Sequence, residues 1–303
     1  MSDYKEHYSV LNKEVIDYFK NTNCSSNLFC DLTFGAGGHT FAIANSIENS
    51  NVISFDQDLD AFKNGLQNIE NKNLSKRVNL INSNFSNIKS EIEKRYPSFE
   101  GFRGIVADLG VSSHHFDDGQ RGFSFRFEAN LDMRMSQNLN ELTAEKIVNE
   151  WSLEELTEIF YDYGEEKFSK RIAERICELR TRQDIKTTKD LEDIIFHCYP
   201  KKMRHGNIHP ATRVFQALRI AVNDELGVLK SVIPDALDLL AKGGRLCIIS
   251  FHSLEDRIAK RQFRAADSSN FKILTKRPII PSEVELSENN RSRSAKLRVI
   301  ERI

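Results

Sequence analysis

No stretch of the chain approaches the ~18 consecutive apolar residues that a membrane helix requires, and the opening MSDYKEHYSVLNKEV is too polar for a secretory signal. These absences predict a soluble, cytoplasmic protein. The cysteines Cys24, Cys30, Cys177, Cys198 and Cys247 are odd in number and form no Cys-x-x-Cys pair, which argues against a disulfide framework and a cysteine zinc site. His114 and His115 are adjacent, and His197, His205 and His209 are scattered. Neither set has His-x-x-x-His spacing beside a carboxylate, so no metal is expected. No Gly-x-Ser-x-Gly elbow or cysteine–histidine pairing announces a covalent nucleophile. An excess of one charge is also lacking: 43 basic residues face 44 acidic ones for a net charge of −1, so any nucleic-acid footprint must be a local patch. What is left is metal-free chemistry on a bound cofactor.

The chain does have alternating strand and helix patterns through its first third. "NLFCDLTF", "NVISFD", "RVNLINSNF" and "FRGIVADLG" read as strands, separated by helical periods in "HTFAIANSIENS", "QDLDAFKNGLQNIENK" and "SNIKSEIEKRY". That alternation implies crossover units and a parallel sheet, an α/β fold. Between about Phe116 and Ile208 no strand is convincing; a loop marked by glycine and arginine leads into helical segments. Beyond it, "ATRVFQALRIAVNDELGVLKSVIPDALDLLAKGG" predicts helices stopping at Gly243 and Gly244, then a strand in "RLCIIS", a helix in "HSLEDRIAKRQFR" and a terminal hairpin from "FKILT" and "AKLRVIERI". The expected division is therefore a sheet domain in two parts, 1–115 and 211–303, around a helical insertion at 116–210.

Three consecutive strands deliver chemistry to one rim. "DLTFGAGGHT" places glycines directly after the first strand, where backbone can approach a ligand and the next helix points its positive end at it. A dinucleotide fingerprint would need a third glycine where Thr40 stands, and no Lys-Ser or Lys-Thr completes a phosphate loop. The pattern suits a ligand with a carboxylate and a nucleoside but no phosphates. Asp56 ends the second strand, 18 residues after Gly38, where a carboxylate can accept from both ribose hydroxyls; Asp58 is placed to cap the next helix. Asp108 ends the fourth strand at the same carboxyl edge. Phe85 either stacks on a purine or belongs to the core.

Basic residues gather in "RSRSAKLR" (291–298) and "KKMRHGNIHPATR" (201–213), while Arg121, Arg126 and Arg134 interleave with Phe123, Phe125 and Phe127. Solvated faces explain many such runs, but cations beside aromatics also suit phosphates and unpaired bases. Arg121, Arg213, Arg291 and Arg293 are the candidate backbone contacts for an RNA.

Taken together, "HYSVLNKEV", "DLTFGAGGHT", "FDQD", "DLGVSS", "DDGQRGFSF", "LDMRM", "IHPATRVFQALRIAVNDEL", "FHSLEDR" and "RSRSAKLRVIER" resemble, in order and almost end to end, a bacterial family of methyltransferases. That family modifies the exocyclic N4 amine of a cytidine in the decoding region of small-subunit (16S) ribosomal RNA. The resemblance implies S-adenosyl-L-methionine as cofactor, a Rossmann-like methyltransferase domain with the helical insertion serving substrate recognition, and ribosomal RNA as partner. It also implies that Gly37, Gly38 and His39 contact the cofactor from the loop, that Asp56 holds its ribose, and that Phe85 and Asp108 line its pocket. The family usually has Ser-Ser-Pro-Gln where this chain has "SSHH", so His115 stands in the glutamine's place; a neutral imidazole replaces one amide donor or acceptor but not both. Direct transfer of the sulfonium methyl to the amine is expected. Asp108 then either holds the cofactor or accepts an amine proton.

Overall fold

The computed structural model describes residues 9–110, 119–138, 140–206, 208–268 and 270–303. The chain divides into two compact units, one made of Met1–Gly110 with Leu226–Ile303 and the other of Val111–Glu225.

The first unit is built on a seven-stranded sheet. Its strands are β1 (Leu28–Asp31), β2 (Asn51–Asp56), β3 (Val78–Asn82), β4 (Phe102–Asp108), β5 (Leu240–Ser250), β6 (Phe271–Ile273) and β7 (Lys296–Arg302), in the spatial order β3-β2-β1-β4-β5-β7-β6. β1 to β5 run parallel, and β7 is antiparallel to both neighbours. This is the Rossmann-like methyltransferase arrangement that the resemblance implies. The order reverses at β1, so the carboxyl ends of β1 and β4 flank the switch point where open parallel sheets take their ligands.

Near-continuous apolar runs such as Val52–Phe55 are buried on both faces, as a parallel sheet covered on each side requires. Alternate residues feed different cores. Cys30, Ile53, Ile105 and Ile248 pack with α4 (Ile88–Arg95), α10 (Glu225–Asp238) and α11 (Ser253–Ala266). Phe29, Val52, Val106 and Cys247 pack with α1 (Asn12–Lys20) and α2 (Gly38–Ser46). α3 (Leu59–Asn71) follows β2 and is capped by Asp58, whose carboxylate accepts from the amide of Asp60 at 3.0 Å.

The second unit is helical: α5 (Ala144–Glu150), α6 (Leu153–Asp162), α7 (Ser169–Arg180), α8 (Thr188–Cys198) and α9 (Ala211–Asn223). Ile147, Leu156, Phe160, Ile172, Ile176, Ile195, Val214 and Leu218 meet in its core. Among the described residues its one β contact is an isolated bridge between Asn130 and Thr187. The run "TAEKIVNEWSLEELTEIF" breaks into two helices at Trp151, because Ser152 opens a new one through a reciprocal capping box with Glu155.

Three expectations need correcting. The helical unit extends to Glu225 and not to residue 210, because α9 spends its apolar face on Val214, Phe215 and Leu218 in the helical core. The helix before β5 stops at Asp238, ahead of the glycines. Gly243, at φ +79°, instead lies in an irregularity of β5, where the register jumps from Phe102↔Leu240 to Gly104↔Arg245. The terminal strands do pair, but residues 274–295 separate them, carrying α12 (Glu283–Glu288) and a short 3-10 turn. No described helix is long and apolar enough to cross a membrane.

Candidate active site

Five of the expected site residues, Gly37, Gly38, His39, Asp56 and Asp108, meet at the carboxyl rim of the sheet, around the loop between β1 and α2. Gly35 and Gly37 both take positive φ, at +53° and +83°. At Gly37 a Cβ would collide with the ring of Phe41 and come within 2.8 Å of Phe34, so the turn admits no side chain on either backbone or packing grounds. Gly37 precedes α2, and Gly38 and His39 form its first turn.

The loop is tied to its neighbours by buried polar groups. Asp31, fully buried at the end of β1, accepts from the Thr33 amide at 3.1 Å and the Thr40 hydroxyl at 2.7 Å, and Thr40 in turn lies 2.8 Å from the Ser54 hydroxyl on β2. The Thr33 hydroxyl accepts from the amide of Asp108 at 2.8 Å. Asp31, Thr40 and Ser54 escaped the sequence reading; the signal was available in the Asp and Thr that bracket the glycines.

Asp56 accepts from the Gly35 amide through Oδ2 and from the Asp58 amide through Oδ1, both at 2.8 Å. Its carboxyl is pushed up to about 7, with burial as the largest cause, opposed by those two amides and reinforced by the neighbouring carboxylates of Asp58 and Asp31. Phe85 begins the 3-10 turn after β3, capped by Asn84, and packs half-buried against the core beneath the sheet. Asn84 also reaches across to Gln57 at 2.8 Å, so the loops after β2 and β3 are linked.

His39 is buried, with Nε2 3.5 Å from Asp108 Oδ2. Burial alone would lower its pKa, but the carboxylates of Asp108, Asp31 and Glu285 outweigh it and raise the value. Neither ring nitrogen of His39 makes a well-formed hydrogen bond, nor does Asp108 Oδ1, although all three atoms are buried. Glu285, on α12, accepts from the Leu11 amide at 2.7 Å. Leu11 lies 274 positions away in sequence, and no local sequence pattern announces Glu285. His115 lies outside the described residues.

These features fit the expected cofactor: a Cβ-free turn, a helix N-terminus, a carboxylate at a strand end and unsatisfied buried polar atoms beside it. They offer amides to a carboxylate and acceptors to ribose hydroxyls.

A family model described as the MraW methylase family matches residues 4–303. The chain belongs to that family. This methylase is 48% identical over 300 residues to a protein of Nostoc punctiforme and 44% identical over 315 residues to one of Oceanobacillus iheyensis, both named ribosomal RNA small subunit methyltransferase H. Each alignment covers 98% of this chain and, respectively, 94% and 95% of the relative. Among solved structures, an rRNA methylase from Streptococcus thermophilus covers 99% of both chains at 12% identity and a TM-score of 0.47; family membership rests on the sequence relatives.

The basic patches fare unevenly in this methylase. Arg121 is buried, and its guanidinium donates to the carbonyls of Arg134 and Met135 at 2.9 Å each. Arg134 grips Asp132 through two nitrogens, at 2.9 and 2.6 Å. Phe123 is core, and Phe125 stacks on His209 with ring centroids 4.6 Å apart. Arg121 is therefore a structural arginine, not a surface contact for RNA: an isolated guanidinium in this interior would be costly, and backbone carbonyls hold it through Nη2. Arg213 donates to the Glu165 carbonyl at 3.0 Å. Lys201, Lys202, Arg291 and Arg293 remain exposed.

Proposed function

We propose that this methylase transfers the methyl group of S-adenosyl-L-methionine to small-subunit ribosomal RNA, on the exocyclic N4 amine of a cytidine in the decoding region. The coarse activity follows from the family and from relatives named for small-subunit RNA methylation. The nucleoside and its position rest on the motif resemblance, and the residue roles on the rim geometry. The observation that carries the cofactor reading is the pairing of the Gly35 amide with Asp56 beside the Cβ-free turn at Gly37.

In this reading Gly37, Gly38 and His39 bind the amino-acid end of the cofactor, Asp56 accepts from its ribose, and Phe85 packs beside its base. Asp108, with a buried unsatisfied oxygen beside His39, orients the cofactor near the reacting centre. The cofactor supplies an electrophilic methyl, and the protein's task is alignment and exclusion of water. The amine is a weak nucleophile because its lone pair is delocalised into the ring, so holding it about 3 to 3.5 Å from the methyl carbon supplies much of the acceleration. A base held in a pocket at the sheet rim must leave any stack, which favours an unpaired nucleotide in folded RNA. Lys201, Lys202, Arg291 and Arg293 then serve the phosphates.

The test is incubation with radiolabelled S-adenosyl-L-methionine and small ribosomal subunits from cells lacking the modification, followed by digestion to nucleosides. Label in N4-methylcytidine is the expected result. Cofactor binding without transfer to subunits or naked RNA would replace the enzyme reading with that of a cofactor-binding assembly factor.

A further inference from the structure

We propose that His252, held by Glu255, is the group that takes up the proton released when the target amine is methylated. The inference rests on the amine-methylation reading above and names a catalytic residue for it.

The position comes from the sheet. The cofactor-facing residues end β1, β2 and β4, and β5 is the next strand along, paired with β4 through Asp108↔Ile249. His252 lies two residues beyond the end of β5, so it stands past the Asp108 end of the row, on the side away from Asp56. The loops after the two strands run together, since a Cβ on Gly110 would lie 3.4 Å from the Phe251 ring. The chain at His252 is extended and passes directly into α11.

The chemistry comes from how the side chain is held. Glu255, 2% exposed in the first turn of α11, accepts from the Phe251 amide at 2.8 Å and the His252 amide at 3.3 Å through Oε2. Its other oxygen, Oε1, sits 3.1 Å from His252 Nε2, outside good hydrogen-bond alignment. The imidazole is nine-tenths buried, and neither Nδ1 nor Nε2 has a hydrogen-bond partner. Buried polar atoms left unsatisfied are rare and call for an explanation. A base kept from water beside a fixed carboxylate explains both the orphaned nitrogens and the partner, because the carboxylate stabilises an imidazolium that forms later. Asp256, the next residue, is already engaged by Arg298 at 2.6 Å and does not compete for this role.

The step balances without another reagent. The amine lone pair forms the N–C bond as the C–S bond breaks, and the sulfur keeps that bond's electron pair, ending as a neutral thioether. The nitrogen is left with a positive charge and one surplus proton. That proton passes to a nitrogen of neutral His252, giving neutral methylated cytidine and an imidazolium opposite Glu255, which then returns the proton to water.

The experiment measures single-turnover methyl transfer to small subunits by wild type, His252→Ala and His252→Gln. Cofactor affinity by calorimetry and RNA affinity by filter binding are measured alongside. General-base catalysis contributes about 10²- to 10⁴-fold, so both variants should transfer at least about a hundredfold more slowly while cofactor and RNA binding hold. Added imidazole should restore transfer to the alanine variant and not to the glutamine variant, whose side chain fills the space. A glutamine variant near the wild-type rate overturns the assignment. So does a loss of rate that tracks lost cofactor or RNA binding, or that imidazole leaves untouched. A wild type that labels no RNA at all fails the methylation reading itself, and this assignment with it.

Discussion

The sheet unit and the helical unit use polar residues to opposite ends. In the sheet unit, Asp31, Thr40, Ser54 and Asp56 are spent on holding a glycine loop open at a rim, and Asp108 and His39 keep buried polar atoms unsatisfied there. In the helical unit the comparable charges satisfy their own backbone: Arg121 serves two carbonyls, Arg134 serves Asp132, and Ser152 and Thr187 close capping boxes with Glu155 and Asp190. Unsatisfied polar atoms are costly, so the unit that keeps them has a ligand to meet. In the helical unit the named polar groups are turned to holding its own loops and helix ends.

The largest expected effect breaks the comparison on the sheet side. Gly37→Ala forces a side chain into a left-handed turn and against the Phe41 ring, so cofactor binding should be lost by calorimetry, with a stability loss of about 1 to 3 kcal/mol from strain and overpacking. On the helical side, Phe160→Ala empties a fully buried position. It should cost about 3 to 5 kcal/mol in the denaturation of that unit while cofactor affinity changes little. A fall in cofactor affinity matching Gly37→Ala would erase the contrast.

Asp56 sharpens the comparison through pH. With its carboxyl raised to about 7, the folded cofactor-free protein binds a proton there that the unfolded chain has lost. This group's contribution therefore favours folding below the carboxyl's ordinary range and is lost as pH rises from about 4 through 7. Ribose hydroxyls donate best to the ionised form, so cofactor affinity should strengthen as pH rises through about 7. Asp56→Asn should flatten both dependences in calorimetry and thermal melts. A smaller effect belongs to the exposed cations: Arg291→Ala with Arg293→Ala should reduce the slope of log RNA affinity against log salt by about 1 to 2 and leave cofactor affinity alone. Smallest is Ser152→Ala, which should remove about 1 kcal/mol of stability through the lost cap.

The rim was legible because its chemistry is local. Glycines before a helix, an acid at a strand end and their spacing are dictated by backbone geometry within a few tens of residues, and Gly37, Asp56 and Asp108 fall where that geometry puts them, whereas His39 came only with the motif resemblance. The parallel sheet was legible for the same reason. The arginine–phenylalanine weave at 121–134 misled because sequence does not say which way a side chain points, and Arg121 turns inward to carbonyls that only the folded loop supplies. The helical unit's limit at Glu225 was missed because α9 has a helical period that suits either core. Glu285 and His252 stayed hidden because their meaning comes from partners brought by the fold.

The Glu285–Leu11 bond also sets an order of events during synthesis. The amide it satisfies is synthesised 274 positions ahead of the carboxylate. β7, which must slot between β5 and β6, comes later still. A chain interrupted before Glu285 therefore carries the glycine loop and Asp56 but lacks the Glu285–Leu11 bond and the strand β7.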